Sequence, residues 1–346
     1  MSTEKDIDQR QDSVEAALQK IAGLVTASRA RAFRQANTEL IDLYWRIGQY
    51  LAQQCRQAGW GQGTVRQLAG LIQQRHPDWR GFSASNLWRM KQCVEIYQGN
   101  ETLAPLVRLL GWTHNLLILG KCKTQEERGF YLKLAAEQGW GKRELERQIE
   151  GCLFERTLTA PPKLAPLLRD IHPAAGTVFK DSYLVEFLNL PEPHSEGDLQ
   201  RGLVRHLKHF LLELGRDFCF IGEQFQVQVG HRDFFLDLLF FHRGLNCLVA
   251  FELKVGEFEP EHLGKLGFYL EALDRDHRKP HEAPSIGVLL CKTRDHDVVE
   301  YALSRSLSPT LIAEYQTRLP DKALLQAKLD EFYELAQREE PPPSDE

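Results

Sequence analysis

Residues 234–255 read FFLDLLFFHRGLNCLVAFELKV, two strongly apolar runs that carry one aspartate and one Glu-x-Lys triplet. Both runs are rich in Phe, Leu and Val and flank a short polar stretch, so the pattern predicts two buried strands joined by a tight turn. If residues 243–246 form that turn, with Gly244 supplying a positive φ, residue 242 pairs with residue 247. In the same register Asp237 lies opposite Glu252.

Two carboxylates in this arrangement need a compensating charge. Cross-strand neighbours hold their Cβ atoms roughly 5 Å apart, and like charges there destabilise a sheet. At an effective dielectric constant of about 20 the repulsion is about 3 kcal/mol. A divalent cation with oxygen ligands would offset it, as would protonation of one acid. Because Lys254 shares the strand face of Glu252, the pattern favours a metal site at Asp237 and Glu252 with a lysine beside it.

Length and composition indicate a two-domain globular protein. The chain has 346 residues, more than one hydrophobic core commonly serves, and 42% of them are hydrophobic. It contains no apolar run of about 18 residues and no amino-terminal signal pattern, so we expect a soluble cytoplasmic chain without membrane contact. Its seven cysteines are scattered without a CxxC pair, which predicts reduced, mostly buried thiols and neither a disulfide framework nor a zinc site.

The first half of the chain predicts a basic helical domain over residues 16–156. Apolar residues recur every three or four positions, as in LIDLYWRIGQYLAQQ (40–54) and ERGFYLKLAAEQ (127–138). Residues 20–156 contain 20 Lys and Arg against 12 Asp and Glu, a balance of +8 in a chain whose net charge is −5. This asymmetry favours a polyanionic partner, although solvated basic helix faces are an equally good interpretation.

One helix of this domain carries candidate contacts to nucleic acid. Ser83 follows a stretch interrupted by Pro and Gly and is a favourable N-cap, so a helix is expected to begin there. Asn86, Arg89 and Lys91 lie near its first turns, where a helix-turn-helix module presents side chains to bases and phosphates. A capped amphipathic helix with a solvated polar face is the alternative interpretation.

The second half predicts an α/β domain over residues 181–337, preceded by a Pro-rich stretch at 157–180 that is typical of a linker. The expected core elements are a helix at about 198–214, strands near 219–229, 233–241 and 247–255, a helix at 260–274 and a strand at 285–291. Because a helix precedes the strand at 285–291, that strand should run parallel to the strand near 247–255 through a crossover. TLIAEYQ (310–316) predicts another strand, DKALLQAKLDEFYELAQ (321–337) a final helix, and residues 338–346 a disordered tail.

This order, with an acid on the second strand and Glu-x-Lys on the third, resembles the PD-(D/E)XK nuclease superfamily. VGHRDFFLDLLFFHRGLNCLVAFELKVGEFEPEHLGKLGFYLEALD (229–274), followed by IGVLLCK (286–292), is similar to the carboxy-terminal domain of the YhcG-type nucleases. LYWRIGQYL (43–51), GWGQGTVRQLA (59–69) and GFSASNLWRM (81–90) are similar to the amino-terminal domain of that family. The resemblance implies a restriction-endonuclease-like α/β domain with antiparallel strands, preceded by an all-helical or winged-helix-like domain.

The same resemblance implies a metal-dependent endonuclease. Asp237 and Glu252 would hold Mg²⁺ or Mn²⁺, with the backbone carbonyl of Leu253, and Lys254 would position the attacking water or help to deprotonate it. A metal ion suits phosphodiester hydrolysis because negative charge develops on the phosphate. DNA is the expected substrate and RNA the alternative, with defence against foreign DNA or its processing as the expected role. Cutting both strands of a duplex would favour a homodimer.

Two positions depart from the pattern of the resembled family. Gln200 stands where such domains often carry a glutamate on their first helix, and Lys265 stands where a glutamine often precedes Tyr269. We expect all three residues to support the site, with Lys265 as a phosphate-binding cation, although helix packing is the commoner role of a tyrosine such as Tyr269. Loss of a ligand at Gln200 supports an alternative function, a catalytically inactive nuclease fold that serves as a nucleic-acid-binding or assembly module.

Other functions have weaker support. A helical interaction protein whose basic face binds an acidic partner is a third interpretation of the charge asymmetry. No HExxH, GxSxG or GxxxxGK[ST] motif is present, so the sequence does not predict zincin, serine-hydrolase or P-loop chemistry.

Overall fold

The computed structural model describes the backbone of residues 2–339 and the side chains of residue 18, residues 20–29 and residues 31–330. The chain divides into two compact units between Leu145 and Glu146, earlier than the boundary predicted at residue 156. Of the disordered tail predicted for residues 338–346, residues 340–346 lie outside the described residues, and the two before them belong to a helix. Within the described chain, no helix is both long enough and apolar enough to cross a lipid bilayer.

The first unit is built from helices, and residues 2–145 as described contain no strand, in agreement with the all-helical prediction. Its helices are α1 (Ser2–Gln57), α2 (Gln62–Arg75), α3 (Ala84–Tyr97), α4 (Leu103–Leu109), α5 (Trp112–Lys121), α6 (Gln125–Gln138) and α7 (Lys142–Glu150), the last of which includes the division point.

Helix α3 begins where the sequence predicts, because the Ser83 hydroxyl accepts a hydrogen bond from the Asn86 amide at 3.3 Å. Its apolar face packs against α1, and Gly48 of α1 lies so close to Met90 that a Cβ atom would collide with the Met90 carbonyl. The buried residues shared by the first three helices are Tyr44, Leu51, Val65, Ala69, Leu87 and Met90.

The second unit combines a mixed sheet with flanking helices, as predicted. Its elements are α8 (Leu153–Thr159), β1 (Lys163–Leu164), α9 (Pro166–Ile171), α10 (Ala175–Val178), β2 (Ser182–Leu184), α11 (Glu196–Arg205), α12 (Leu207–Leu214), β3 (Phe218–Val229), β4 (Arg232–His242), β5 (Cys247–Glu257), α13 (Glu261–Asp276), β6 (Ile286–Thr293), α14 (His296–Ser304), β7 (Thr310–Gln316) and α15 (Lys322–Glu339). The single helix predicted at 198–214 is divided at His206, and α14 was not predicted.

The sheet has the order β1-β7-β6-β5-β4-β3, with β2 paired to β7. Strands β3, β4 and β5 are antiparallel, whereas β5, β6 and β7 are parallel. The parallel pairing of β5 with β6 across α13 confirms the predicted crossover connection. The central strands are buried over most of their length, which explains their continuous apolar runs.

The hairpin of β4 and β5 has the predicted register, since His242 pairs with Cys247 and Leu238 with Phe251. Residues 243–246 form the turn, but the prediction that Gly244 supplies the positive φ is wrong. Asn246 adopts it instead, with φ 52°. Asparagine tolerates this conformation, and its side-chain amide is held by a 2.6 Å hydrogen bond to the carbonyl of His281.

Residues 157–180 differ from the linker that the sequence predicts. Strand β1 pairs antiparallel with β7, and Pro166 occupies the first turn of α9, a position that proline favours. The segment contributes buried side chains to the core of the second unit, namely Leu164, Ala165, Leu168, Ala175 and Phe179. It is therefore part of the folded unit, and its prolines mark short elements.

Candidate active site

Asp237 lies where the strands β4 and β5 stop pairing. Their ladder extends as far as Leu238 and Phe251, and the next position in register sets Asp237 opposite Glu252, as predicted. The Asp237 carboxylate takes the place of a backbone partner, because its Oδ2 accepts a hydrogen bond from the Leu253 amide at 2.8 Å. The acid is thus fixed to the strand that carries the Glu-x-Lys triplet.

Glu252 is buried, with 1% exposure, and its two oxygens have different surroundings. Oε1 lies 2.6 Å from the Lys265 ammonium and 3.1 Å from that of Lys254. Oε2 is buried and has no hydrogen-bond partner within the described chain. Two lysines therefore offset the repulsion between the acids, a solution that the sequence did not suggest, and one carboxylate oxygen is left over.

Glu196, the first residue of α11, also belongs to this cluster. Its carboxylate oxygens lie 3.2 and 3.3 Å from the Lys254 ammonium, so Lys254 bridges Glu196 and Glu252. Sequence reasoning missed this residue. The available signal was the capping box in which Ser195 and Asp198 bond reciprocally, because that motif places Glu196 in the first turn of the helix.

Two glutamine side chains also donate hydrogen bonds to Asp237. Gln200 donates to the Asp237 backbone carbonyl at 3.2 Å, and Gln224 donates to Gln200 Oε1 at 3.0 Å and to Asp237 Oδ1 at 3.3 Å. Gln224 has a positive φ of 44°, a conformation that costs free energy outside glycine and is concentrated at functional sites. Gln224 was not predicted, because its placement depends on a register shift in β3 after Phe220.

Lys265 and Tyr269 both come from α13. The Lys265 ammonium lies 5.4 Å from the centroid of the Tyr269 ring, and the Lys265 side chain is 50% exposed. Tyr269 is buried, and burial raises the pKa of its hydroxyl. Lys265 therefore reaches from the acids to solvent, while Tyr269 packs beneath it.

The charges of the site are mutually dependent. Burial, and then the charge of Glu252, raises the pKa of Asp237, against the effects of the Leu253 amide and the two lysines. Burial alone would lower the pKa of Lys254, but attraction and hydrogen bonding to Glu252 and Glu196 outweigh it, and the pKa is raised. Asp237 therefore resists ionisation, and Lys254 retains its proton.

The donor set suits a hard divalent cation. A buried carboxylate oxygen without a donor lies beside a second carboxylate, and Mg²⁺ commonly uses one or two protein carboxylates together with water and phosphate oxygens. Within the part of the chain that the structure describes, no group of three or more His, Cys, Asp or Glu side chains is arranged to hold a metal ion. The candidate centre thus offers two acids, Asp237 and Glu252.

The three candidate contacts on α3 have different environments. Asn86 accepts a hydrogen bond from the Trp112 indole at 2.8 Å and donates to the Gly81 carbonyl at 2.5 Å. Lys91 forms an ion pair with Glu95 at 2.6 Å. Arg89 is exposed. Two of the three side chains are thus occupied within the first unit, and their contact with nucleic acid stays a prediction.

A mixed sheet with flanking helices is the fold of the PD-(D/E)XK nucleases, and residues 176–330 match a family model described as the YhcG PDDEXK nuclease domain. Residues 20–156 match the DUF1016 N-terminal domain. The chain is 32% identical over 360 aligned positions to "Putative nuclease YhcG" of Escherichia coli (strain K12), across 90% of this chain and 94% of that protein. It belongs to the YhcG nuclease family, which confirms the resemblance seen in the sequence.

A solved structure also matches part of the chain. It is a repair endonuclease from Pyrococcus abyssi, with 14% identity and a TM-score of 0.25, and the match covers 37% of this chain and 48% of that one.

Proposed function

We propose that this protein is a metal-dependent nuclease that hydrolyses phosphodiester bonds in DNA at the site formed by Asp237, Glu252 and Lys254. The observation that carries the proposal is Glu252 Oε2, a buried oxygen without a hydrogen-bond donor beside a second acid. A buried carboxylate oxygen left unpaired costs free energy, and a divalent cation would be its natural partner.

Mg²⁺ or Mn²⁺ would be held by Asp237 and Glu252, together with the backbone carbonyl of Leu253. When bound, such an ion supplies charge neutralisation at the phosphate and makes water a better nucleophile. The groups around Asp237 fix the orientation of its carboxylate, because the Leu253 backbone amide and the Gln224 side chain each donate to one of its oxygens. A carboxylate with a defined orientation loses little conformational freedom on binding an ion.

Lys254 acts in this proposal as a charged donor. Its raised pKa keeps the ammonium protonated at neutral pH, which favours positioning of water or phosphate over removal of a proton. Lys265, half exposed and in contact with Glu252, would bind a phosphate oxygen of the substrate.

Glu196 supplies an acid on the helix where Gln200 replaces the glutamate that is common in the resembled family. The two residues are four positions apart on α11 and so lie on the same helix face. Glu196 contacts Lys254, whereas Gln200 supports the backbone of Asp237. The helix therefore keeps an acid at the site one turn before the position where the resembled family often has it.

A second candidate function is a nuclease fold without catalysis that binds nucleic acid or assembles with other proteins. Lys254 and Lys265 already pair with Glu252, which favours this alternative because the charge of Glu252 is compensated in the folded site without an ion. The proposed cellular role, defence against foreign DNA or its processing, is supported by the family resemblance alone.

Incubation of supercoiled plasmid with Mg²⁺ or Mn²⁺ tests the proposal. We expect the parent to nick or linearise the plasmid, and Asp237→Ala and Lys254→Ala to slow cleavage by at least about 100-fold, because each removes stabilisation of the developing charge. Asp233→Ala, an exposed acid on the same strand, and Lys279→Ala, an exposed lysine in the loop before β6, should cut like the parent.

The two possible failures have different meanings. Undiminished cutting by both site variants would show that another site or a contaminant is responsible. A parent protein that binds DNA but does not cut it would contradict catalysis and support the binding-module function.

A further inference from the structure

The loop between α2 and α3, residues 76–83, carries an aromatic stack on the surface of the first unit. The rings of His76 and Trp79 are nearly parallel, with an interplanar angle of 11° and centroids 4.0 Å apart. A backbone hydrogen bond of 3.1 Å from the Trp79 amide to the His76 carbonyl closes the turn between them. Phe82 lies at 5.9 Å from the Trp79 ring in a tilted arrangement. The stack is thus held by its own loop.

Trp79 nevertheless remains 52% exposed. Burial of a tryptophan ring is among the largest apolar contributions that a side chain can make, so an ordered ring left half in solvent forgoes part of that stabilisation. Such exposed rings are enriched where proteins bind partners. The exposed ring is therefore suited to bind a ligand with a flat apolar face.

The surroundings of the stack are basic. Residues 62–92 contain five Lys and Arg against a single acid, Asp78. Arg75 ends α2, Arg80 follows Trp79 directly, and Arg89 lies on α3. All three arginines are exposed, and none forms an ion pair with another residue of the described chain. A ligand that also carries negative charge matches this composition.

We infer that the His76–Trp79 stack binds an unpaired base of a single-stranded nucleic acid, with Arg75, Arg80 and Arg89 contacting its phosphates. The inference rests on the proposed function only for the class of ligand. Aromatic side chains stack on every kind of base, and basic residues follow the backbone. In a duplex the base faces are covered by neighbouring pairs, and exposing one costs a few kcal/mol, so single strands or frayed ends are the ligand that this surface fits.

The inference moves the nucleic-acid contact away from two of the residues predicted on α3. Asn86 and Lys91 have partners inside the unit, whereas Trp79 and Arg80, in the loop before the helix, are exposed to solvent. Because the stack is already formed, binding would order few side chains, and this lowers the entropic cost of association.

Fluorescence anisotropy with the full chain and a labelled oligothymidine of about 20 nucleotides tests the surface, in EDTA so that metal-dependent cleavage does not occur. We expect Trp79→Ala to weaken binding by about 5- to 150-fold, the range of base–aromatic stacking, and Trp79→Phe to stay within about threefold of the parent. Tyr301→Ala, which removes an exposed aromatic ring of the second unit, should bind like the parent. Thermal unfolding of each variant checks that the fold is intact.

The arginines are tested by salt dependence. Removal of one arginine–phosphate interaction should reduce the slope of log affinity against log salt by about 0.7 for a single strand. Arg80→Gln should show this change, whereas Arg305→Gln, an exposed arginine of the second unit, should not.

Equal affinity of Trp79→Ala and the parent for the oligonucleotide would overturn the inference. Tighter binding of a duplex of the same length, with the same loss on Trp79→Ala, would overturn the assignment to single strands. Because this binding is measured without a metal ion, its failure would leave cleavage at Asp237 and Glu252 untouched, and failure of cleavage would leave this binding untouched.

Discussion

Two buried glutamates of the second unit, Glu213 and Glu252, both attract several cations but use their oxygens differently. Each oxygen of Glu213 accepts two hydrogen bonds, from Arg147 at 2.9 Å and Gln148 at 3.1 Å on Oε2, and from Lys180 at 3.0 Å and the Leu184 amide at 3.1 Å on Oε1. Glu252 receives both of its lysines on Oε1 and, within the described chain, has no partner on Oε2. A buried carboxylate with every oxygen satisfied stabilises the fold, whereas one with an oxygen to spare is available to a ligand.

The two regions also differ in the direction in which their surroundings shift the pKa of a buried acid. Burial alone would raise the pKa of Glu213, but Lys180, Arg156 and Arg147 outweigh it and lower the value to about 2. Beside Glu252, burial and the neighbouring charge raise the pKa of Asp237. Folding is therefore favoured by the ionised acid in one region and opposed by it in the other, which is typical of a site shaped for function.

The largest difference should appear in catalysis. Glu252→Gln keeps the size of the side chain but removes the charge, so we expect plasmid cleavage to fall by about 10³-fold or more, the scale of a metal ion's contribution to the rate. Initial rates with Mg²⁺ measure the effect. Glu300→Gln, an exposed glutamate on α14, is the matched control and should cut like the parent. A Glu252→Gln variant that retains most of its activity would remove Glu252 from the site.

For the free energy of unfolding, we expect the larger effect from substitution of Glu213 and the smaller from substitution of Glu252. Glu213→Gln leaves buried cations without their carboxylate, and loss of one partner of a buried ion pair costs about 3–5 kcal/mol. Glu252→Gln should change the free energy of unfolding by less than about 1 kcal/mol, because Lys265 can turn to solvent and Lys254 keeps Glu196. Urea denaturation of both variants measures the difference. Equal losses would mean that the two glutamates have the same structural role.

The pH dependence of stability should have opposite signs in the two regions. The advantage of the parent over Glu213→Gln should be complete above the ordinary glutamate pKa of 4.5 and disappear as the pH falls towards about 2. Asp237→Asn should be more stable than the parent at neutral pH, because the ionised acid is disfavoured in the folded state. That difference should shrink as the pH falls through the raised pKa of Asp237 towards the ordinary value of 3.8.

Unfolding free energies of both variants and the parent across this pH range measure these trends. If Asp237→Asn is less stable than the parent at neutral pH, the acid stabilises the fold and the contrast between the two regions fails.

The hairpin that carries the acids could be predicted from sequence alone. Two apolar runs around a short turn allow one register that buries both, and it is the register found, with Leu238 opposite Phe251. The turn residue with a positive φ was harder to predict, because Asn246 and Gly244 are both residues that adopt this conformation. The choice between them depends on the contact of Asn246 with the distant carbonyl of His281.

The rest of the site depends on tertiary packing that no local pattern encodes. Glu196 reaches Lys254 because α11 lies against β5, and Gln224 reaches Asp237 because β3 contains a register shift and a positive φ. The wrong prediction of a linker at residues 157–180 also arose because the structure of this segment depends on tertiary packing. Its two-residue strand β1 is formed only by pairing with β7, far along the chain, so its prolines suggested a linker.

Binding of Mn²⁺ to the parent, Glu252→Gln and Asp237→Asn, without nucleic acid and with Glu300→Gln as the control, tests the central claim most directly. We predict that the parent and the control bind the ion and that both site variants bind it at least about tenfold more weakly, because each removes a carboxylate oxygen ligand. A parent that binds no divalent cation, or site variants that bind it as tightly as the parent, would contradict a metal site at Asp237 and Glu252.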